Sequence, residues 1–215
     1  MSLDRLVLWR HGVTEYNATG RIQGHLDVQL KPEGVAQAAA AAPLLSSFNP
    51  QVIVSSDLRR AADTAAAFAR LSGRPIRFDK RLRETYVGQW QGLTHAEVEE
   101  GWPGGFTRWR QDPTWAPPDG ETRIEVADRG HEVISELDAE LFGGTALICA
   151  HGGLLSSLTG RLLGLPSDFW PQLGGLSNCH WTVLERRADT GGTWRLISYN
   201  VGVHGDRGDQ SAGAG

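Results

Sequence analysis

The chain has 215 residues, 40% of them hydrophobic, enough to bury one substantial core, and a single domain over residues 1–203 is expected. A formal net charge of -4 removes any general reason to expect nucleic acid or an anionic membrane as partner, so anion recognition must come from a local cluster of positive groups. Cys149 and Cys179 show no metal spacing, and Cys149 in "TALICA" reads as a buried thiol.

In chain order, an apolar run rich in branched residues at 3–9 reads as the first strand, and it stops at "RHG", Arg10 to Gly12. A helix over 31–46 follows, opening on "KPEG" with Pro32 acceptable in its first turn and continuing through an alanine-rich body. A strand at 52–55 leads into "SSDLRRA" and a helix over 58–71. A strand at 75–78 precedes "RLRET", which carries Glu84. Residues 88–120 differ: they hold Trp90, Trp102, Trp109, Trp115 and a "DPTWAPPDG" loop, and read as an excursion with short helices over one end of the sheet. A helix over 122–142 sets Ile124, Ala127, Ile134, Leu137 and Leu141 on one face. A strand at 146–150 runs into "HGG", His151 to Gly153, which opens a helix over 152–163, and strands at 180–184 and 194–199 complete the pattern. The small polar residues 204–215 read as a disordered tail. Nowhere do ~18 apolar residues run together, and no cleavable leader is visible, so a soluble, cytoplasmic protein is expected.

Strands alternating with helices predict an α/β sandwich with a largely parallel sheet, and in such sheets functional residues collect at the carboxyl ends of strands. Arg10, His11, Arg60, Glu84 and His151 all follow strands in this way. Two histidines with two arginines suit a phosphoryl group better than a metal, because a guanidinium fork matches phosphate oxygens and stays charged. Arg10, Arg60 and His151 then supply the charge stabilisation that magnesium usually gives, and amides beginning at Gly152 add the attraction of a helix N-terminus. Neighbouring cations disfavour imidazolium, which keeps His11 neutral and able to attack phosphorus. Glu84 is the candidate proton donor to the leaving oxygen and later the base for water. No cofactor is implied, since zinc and magnesium ligands are missing as a set. The remaining histidines, His25, His95, His131, His180 and His204, read as structural or exposed.

In order along the chain, "RHG", Asn17, "RIQGHLDVQL", "SSDLRRAADTA", "RLRETYVGQWQG", "DGET" and "AHGG" resemble the histidine phosphatase superfamily, also called phosphoglycerate-mutase-like. The likeness covers about residues 4 to 200 and implies a three-layer α/β/α sandwich. It also implies His11 as the phosphorylated nucleophile, Arg10 and Arg60 as phosphate clamps, His151 on the transferring group and Glu84 as acid/base. Asn17 and Gln23 match positions that touch phosphate or leaving group, although both can equally hold their loop through hydrogen bonds. Mutases of the superfamily typically carry a longer insertion between acid/base and second histidine, so a phosphatase acting on a small phosphorylated substrate is the better expectation. A narrower likeness, carried by "LRETYVGQWQGLTHAEV", "WRQDPTWAPPDGE" and "WPQLGGLSNCHWTVL", is to the bacterial branch whose substrate joins a hexose to phosphoglycerate. Such a ligand wants an aromatic surface, for which Trp115 or Trp109 is available, and positive charge for its carboxylate, from Arg21 or from amides near Gly24. Relatives often pair, so the resemblance leaves room for a homodimer, although no stretch reads as an interface.

Overall fold

The computed structural model describes residues 3–187 and 192–203; the expected tail and His204 lie outside the described residues. Its elements, in order, are β1 (Arg5–Arg10), α1 (Glu15–Ala18), α2 (Pro32–Leu45), β2 (Pro50–Ser55), α3 (Arg59–Ser72), β3 (Ile76–Phe78), α4 (His95–Gly101), α5 (Gly105–Gln111), α6 (Arg123–Glu140), β4 (Thr145–Ala150), α7 (Gly152–Leu162), β5 (Trp181–Arg186) and β6 (Trp194–Val201). The strands form a single sheet in the order β3-β2-β4-β1-β5-β6. Strands β3, β2, β4 and β1 are mutually parallel, β5 runs against β1, and β6 runs against β5. The sheet is therefore largely parallel, with β5 as the reversed strand.

Alternation along each strand makes the layers. Leu6 and Leu8 of β1 face one side with Val52, Val54, Ala146 and Ile148, and meet Val133, Ile134 and Leu137 of α6 and Leu154, Leu155 and Leu158 of α7. Val7 and Trp9 face the other side with Ile53, Leu147 and Cys149, and meet the alanines of α2 and Ala61, Ala65 and Phe68 of α3. Helices on both faces make the expected α/β/α sandwich. Strand β4 is buried at every position, as a central strand covered on both faces must be.

Local chemistry sets several boundaries. Thr122 caps α6 through a capping box with Glu125, and the helix ends at Glu140, two residues before the expected end. Ile124 and Leu141, expected on the core face, are only half-buried, and Val126 and Val133 take those places. Helix α1 was not anticipated, because four residues give no periodicity; it exists through a capping box between Thr14 and Asn17. Gly12 and Gly34 press backbone on backbone: a Cβ on Gly12 would collide with the Gly34 carbonyl and one on Gly34 with the Val13 carbonyl, so side chains there would push α2 off the loop that follows β1. The tryptophan-rich excursion folds into α4 and α5 around its own cluster of Trp90, Val98, Phe106 and Trp109, closed by Ile22 and Val87. Trp90 is its hub, with Trp109 edge-on at 6.0 Å and Trp115 at 5.6 Å between ring centres. Among the described residues no helix is long and apolar enough to cross a membrane, and no group of three or more His, Cys, Asp or Glu is placed to hold a metal ion.

Candidate active site

Strand register brings the two histidines together. Arg10 and Ala150 end β1 and β4 side by side, so the next residues, His11 and His151, leave the sheet edge as neighbours. The His11 amide donates to the Ala150 carbonyl at 3.0 Å, and the two rings stand 5.2 Å apart. The His11 carbonyl accepts from the Cys179 amide (3.1 Å) and from Asn178 Nδ2 (3.0 Å), so the backbone of this residue is fixed on three sides.

The ring of His11 is fixed as well. Its Nδ1 lies 2.7 Å from the Gly12 carbonyl, which can only accept, so Nδ1 carries the proton and the lone pair sits on Nε2. Burial, with Arg60 and Arg10 nearby, holds its pKa well below the ordinary 6.5. His151 is the opposite tautomer. Its Nδ1 accepts from Arg60 Nε at 3.2 Å, so its Nε2–H donates to Ser56 Oγ at 2.8 Å. Burial and the charge of Arg60 depress its pKa strongly too.

Arg60 comes from the first turn of α3 and is fully buried, whereas Arg59 beside it is exposed. Its Nη1 donates to the Leu26 carbonyl at 2.7 Å and its Nη2 to the Gly24 carbonyl at 2.8 Å, which ties the loop after β1 down over the site. Burial lowers its pKa to about 10, offset in part by Glu84 and Asp27, so it remains a cation at neutral pH. Arg10 is buried with its Nη1 on the Leu176 carbonyl.

Glu84 reaches the site from the loop beyond β3. Its flanking arginines are engaged elsewhere: Arg81 with Asp79 and Glu136, Arg83 with Asp57 through two contacts. A surface ion pair is thereby excluded for Glu84. Its Oε1 accepts from the amides of Thr85 (2.8 Å) and Leu154 (3.0 Å), and Oε2 from the Gly153 amide at 3.1 Å. The first-turn amides of α7 at Gly153 and Leu154 therefore hold a protein carboxylate rather than waiting for phosphate, which corrects the reading of that helix terminus as an anion seat. Gly153 is required for this: a Cβ there would stand 2.7 Å from Glu84 Oε1. Gly152, ahead of it, packs against the Arg10 side chain, with a Cβ 3.3 Å from its guanidinium carbon.

The cleft is lined by Arg10, His11, Ile22, Gln23, Gly24, Arg60, Glu84, Thr85, Val87 and Trp109. Gln23 and Gly24 thus stand where the sequence suggested. Asn17 is buried beside them, but its Oδ1 is used inside the loop, accepting from Thr14 N, Thr14 Oγ1 and Asn178 Nδ2. Two expectations fail. Arg21 points to the excursion, donating to the Gly92 carbonyl at 2.7 Å and pairing with Glu97, so it is an anchor between loops. Trp115 packs on Trp90 outside the lining, and Trp109 is the tryptophan at the cleft.

Sequence reasoning also missed the layer that holds Glu84. Arg129 of α6 donates to the carbonyls of Arg81, Arg83 and Glu84, and pairs with Glu121 at 2.6 Å. His25, expected to be structural or exposed, donates Nε2–H to the Glu84 carbonyl at 2.8 Å. The "DGET" block carries Glu121, and its pattern was the one available signal. His95 stacks on Phe106, and His180 donates to the Asn200 carbonyl, both outside the cleft lining.

One pH dependence follows from the neutral nucleophile. A depressed His11 pKa means that lowering pH to 6.5 removes none of the attacking form, which is lost only at more acid pH. The kcat/KM profile, corrected for ionisation of the substrate phosphate, is expected to show no loss on the acid side down to pH 6.5. An acid limb centred at or above that value contradicts the assignment.

The chain is similar along most of its length to known proteins. A curated glucosyl-3-phosphoglycerate phosphatase of Mycolicibacterium vanbaalenii is 46% identical over 216 residues, covering 94% of this chain and 96% of the relative. A second, of Mycobacterium tuberculosis, is 44% identical over 211 residues, covering 94% and 95%. A solved mycobacterial glucosyl-3-phosphoglycerate phosphatase in complex with VO3 superposes with a TM-score of 0.88 at 46% identity, covering 92% of this chain and 99% of that one. The model of the histidine phosphatase superfamily (branch 1) matches residues 6–202, and this chain belongs to that family.

Proposed function

We propose that this chain hydrolyses glucosyl-3-phosphoglycerate to glucosylglycerate and inorganic phosphate through a phosphohistidine at position 11. The observation that carries the reading is the fixed tautomer of His11, with its lone pair on Nε2 beside Arg10 and Arg60. The two relatives at 46% and 44% identity, named for this substrate, favour it over other phosphomonoesters.

The steps follow from the groups present. Nε2 of His11 forms a bond to phosphorus as the ester P–O bond breaks, and Glu84 gives its proton to the departing oxygen. Oε2 of Glu84 accepts from one amide where Oε1 accepts from two, so Oε2 is the oxygen with room for the moving proton. Arg10 and Arg60 offset charge on the equatorial oxygens, the part that positioned cations play in phosphoryl transfer. In the second half a water attacks phosphorus, the N–P bond breaks back onto Nε2, and Glu84 takes the water's proton. His151 acts through Arg60: with Nδ1 accepting from Arg60 Nε and Nε2–H given to Ser56, it holds that guanidinium beside the phosphoryl group. Ile22, Val87 and Trp109 offer an apolar wall for the hexose ring.

A phosphate-release screen tests the substrate. Glucosyl-3-phosphoglycerate is expected to exceed 3-phosphoglycerate, sugar phosphates and phosphopeptides in kcat/KM by at least about 10-fold, since recognition of the sugar adds binding in the transition state. Conversion of 3-phosphoglycerate to 2-phosphoglycerate without phosphate release, followed by NMR, points to a mutase instead.

A further inference from the structure

With Arg21 drawn away to Glu97, the carboxylate of a phosphoglycerate arm loses the charged partner that the sequence suggested and keeps only the amides near Gly24. Arg123, the first residue of α6, has the properties of a replacement. Its Nε is shielded from solvent and has no hydrogen-bond partner among the described residues. Its guanidinium carbon lies 4.9 Å from the centre of the Trp109 ring, and Trp109 is part of the cleft lining. Burial lowers its pKa, and the charge it feels most strongly in the opposite sense is that of Glu84.

Arg10 and Arg60, which share the cleft with Glu84, serve the phosphate, and the arginines that flank or hold the Glu84 loop are neutralised. Arg81, Arg83 and Arg129 each pair with a carboxylate at 2.7 Å or less. Arg123 forms no ion pair among the described residues; its stabilising neighbour is an aromatic face. A half-buried cation without a counter-ion is costly to keep, and with Nε shielded, stacking leaves the outer N–H donors of the guanidinium for an anion.

We propose that Arg123 forms the subsite for the carboxylate of the substrate's phosphoglycerate arm. This deepens the functional reading above and rests on it. The chemistry of the arm fits the placement. Glu84 serves the ester oxygen, and the carboxylate of 3-phosphoglycerate is attached two carbons from that oxygen, so an anion site against Trp109, on the cleft that Glu84 also lines, is where this group falls. The subsite reads a second negative charge at short distance from the phosphate. The hexose plays no part in it.

The test uses Arg123→Met, which keeps the apolar stem on Trp109, and Arg123→Lys, which keeps the charge. The substrates are glucosyl-3-phosphoglycerate, 3-phosphoglycerate, and glycerol 3-phosphate as the arm without a carboxylate. Arg123→Met is expected to raise KM for both carboxylated substrates by about 10- to 100-fold, the worth of a charged hydrogen-bonded contact, with kcat within about threefold. Glycerol 3-phosphate kinetics stay unchanged, and Arg123→Lys recovers part of the loss. An equal loss on glycerol 3-phosphate, a fall in kcat alone, or no change on any substrate overturns the subsite. If Arg123→Met does not fold, Arg123→Lys decides: an altered ratio of 3-phosphoglycerate to glycerol 3-phosphate supports it, and an unchanged ratio overturns it. The sugar-free pair keeps the two readings apart. Wild-type enzyme indifferent to the glucosyl group defeats the assigned substrate, while carboxylate discrimination lost with Arg123 still upholds the subsite.

Discussion

Alanine at position 11 is expected to lower kcat by at least about 10^4-fold, the scale on which loss of a covalent nucleophile is felt. The residual rate would come from the arginines and Glu84, which still bind and polarise the ester but have nothing to hand the phosphoryl group to. His11→Ala also removes a side chain whose Nδ1–H bond to Gly12 shapes the loop, so a fold check belongs with it. The bonds of the His11 main chain, its amide to Ala150 and its carbonyl with Asn178 and Cys179, do not involve the ring and should keep the loop in place. Substrate affinity is therefore expected to survive better than turnover, measured as product inhibition by inorganic phosphate. Turnover within about tenfold of wild type would remove covalent catalysis from the account.

Glu84→Gln is expected to cost about 10^2- to 10^4-fold in kcat on alkyl phosphates, the usual worth of a positioned general acid. The loss should depend on the leaving group. A nitrophenolate departs without a proton, so the burst of nitrophenol from an aryl phosphate should shrink far less than the rate on glycerol-type esters. An equal loss on both would mean that Glu84 holds the site together without donating a proton. Glutamine has one acceptor oxygen where glutamate has two, and its amide would face the Gly153 or Leu154 N–H, donor against donor. A stability loss of about 1–3 kcal/mol is therefore expected alongside, read from thermal unfolding.

Much of this site is legible in the sequence. Apolar runs end at Arg10 and at Ala150, and parallel strands in one sheet must deliver the following histidines to one edge; periodicity alone takes the reader that far. The resemblance picks out Arg60, and burial gives the physical reason that it is Arg60 and not Arg59: Arg60 turns under the loop after β1, and Arg59 turns outward. What escaped depends on loops returning from far along the chain. Nothing near Arg21 announces that Gly92 and Glu97 will stand beside it, and nothing near Glu84 announces that α7 will offer it amides. Trp109 and Trp115 look alike as letters. Trp109 lies within α5, edge-on to Trp90 in the small core, and Trp115 lies beyond the helix end, against Trp90 and under Arg108. Arg129, His25 and Glu121 were passed over because their role is exerted on a backbone carbonyl or on each other, which leaves no mark in residue type.

The most direct test of the central claim is to locate the phosphoryl group. Wild-type enzyme, mixed with substrate and quenched within milliseconds under alkaline denaturing conditions, is expected to yield a base-stable, acid-labile phosphate on His11. Phosphorus NMR should place it on Nε2, because Nδ1 spends its proton on the Gly12 carbonyl. Phosphate on Nδ1, on another side chain, or on no residue at all while turnover proceeds, would contradict it.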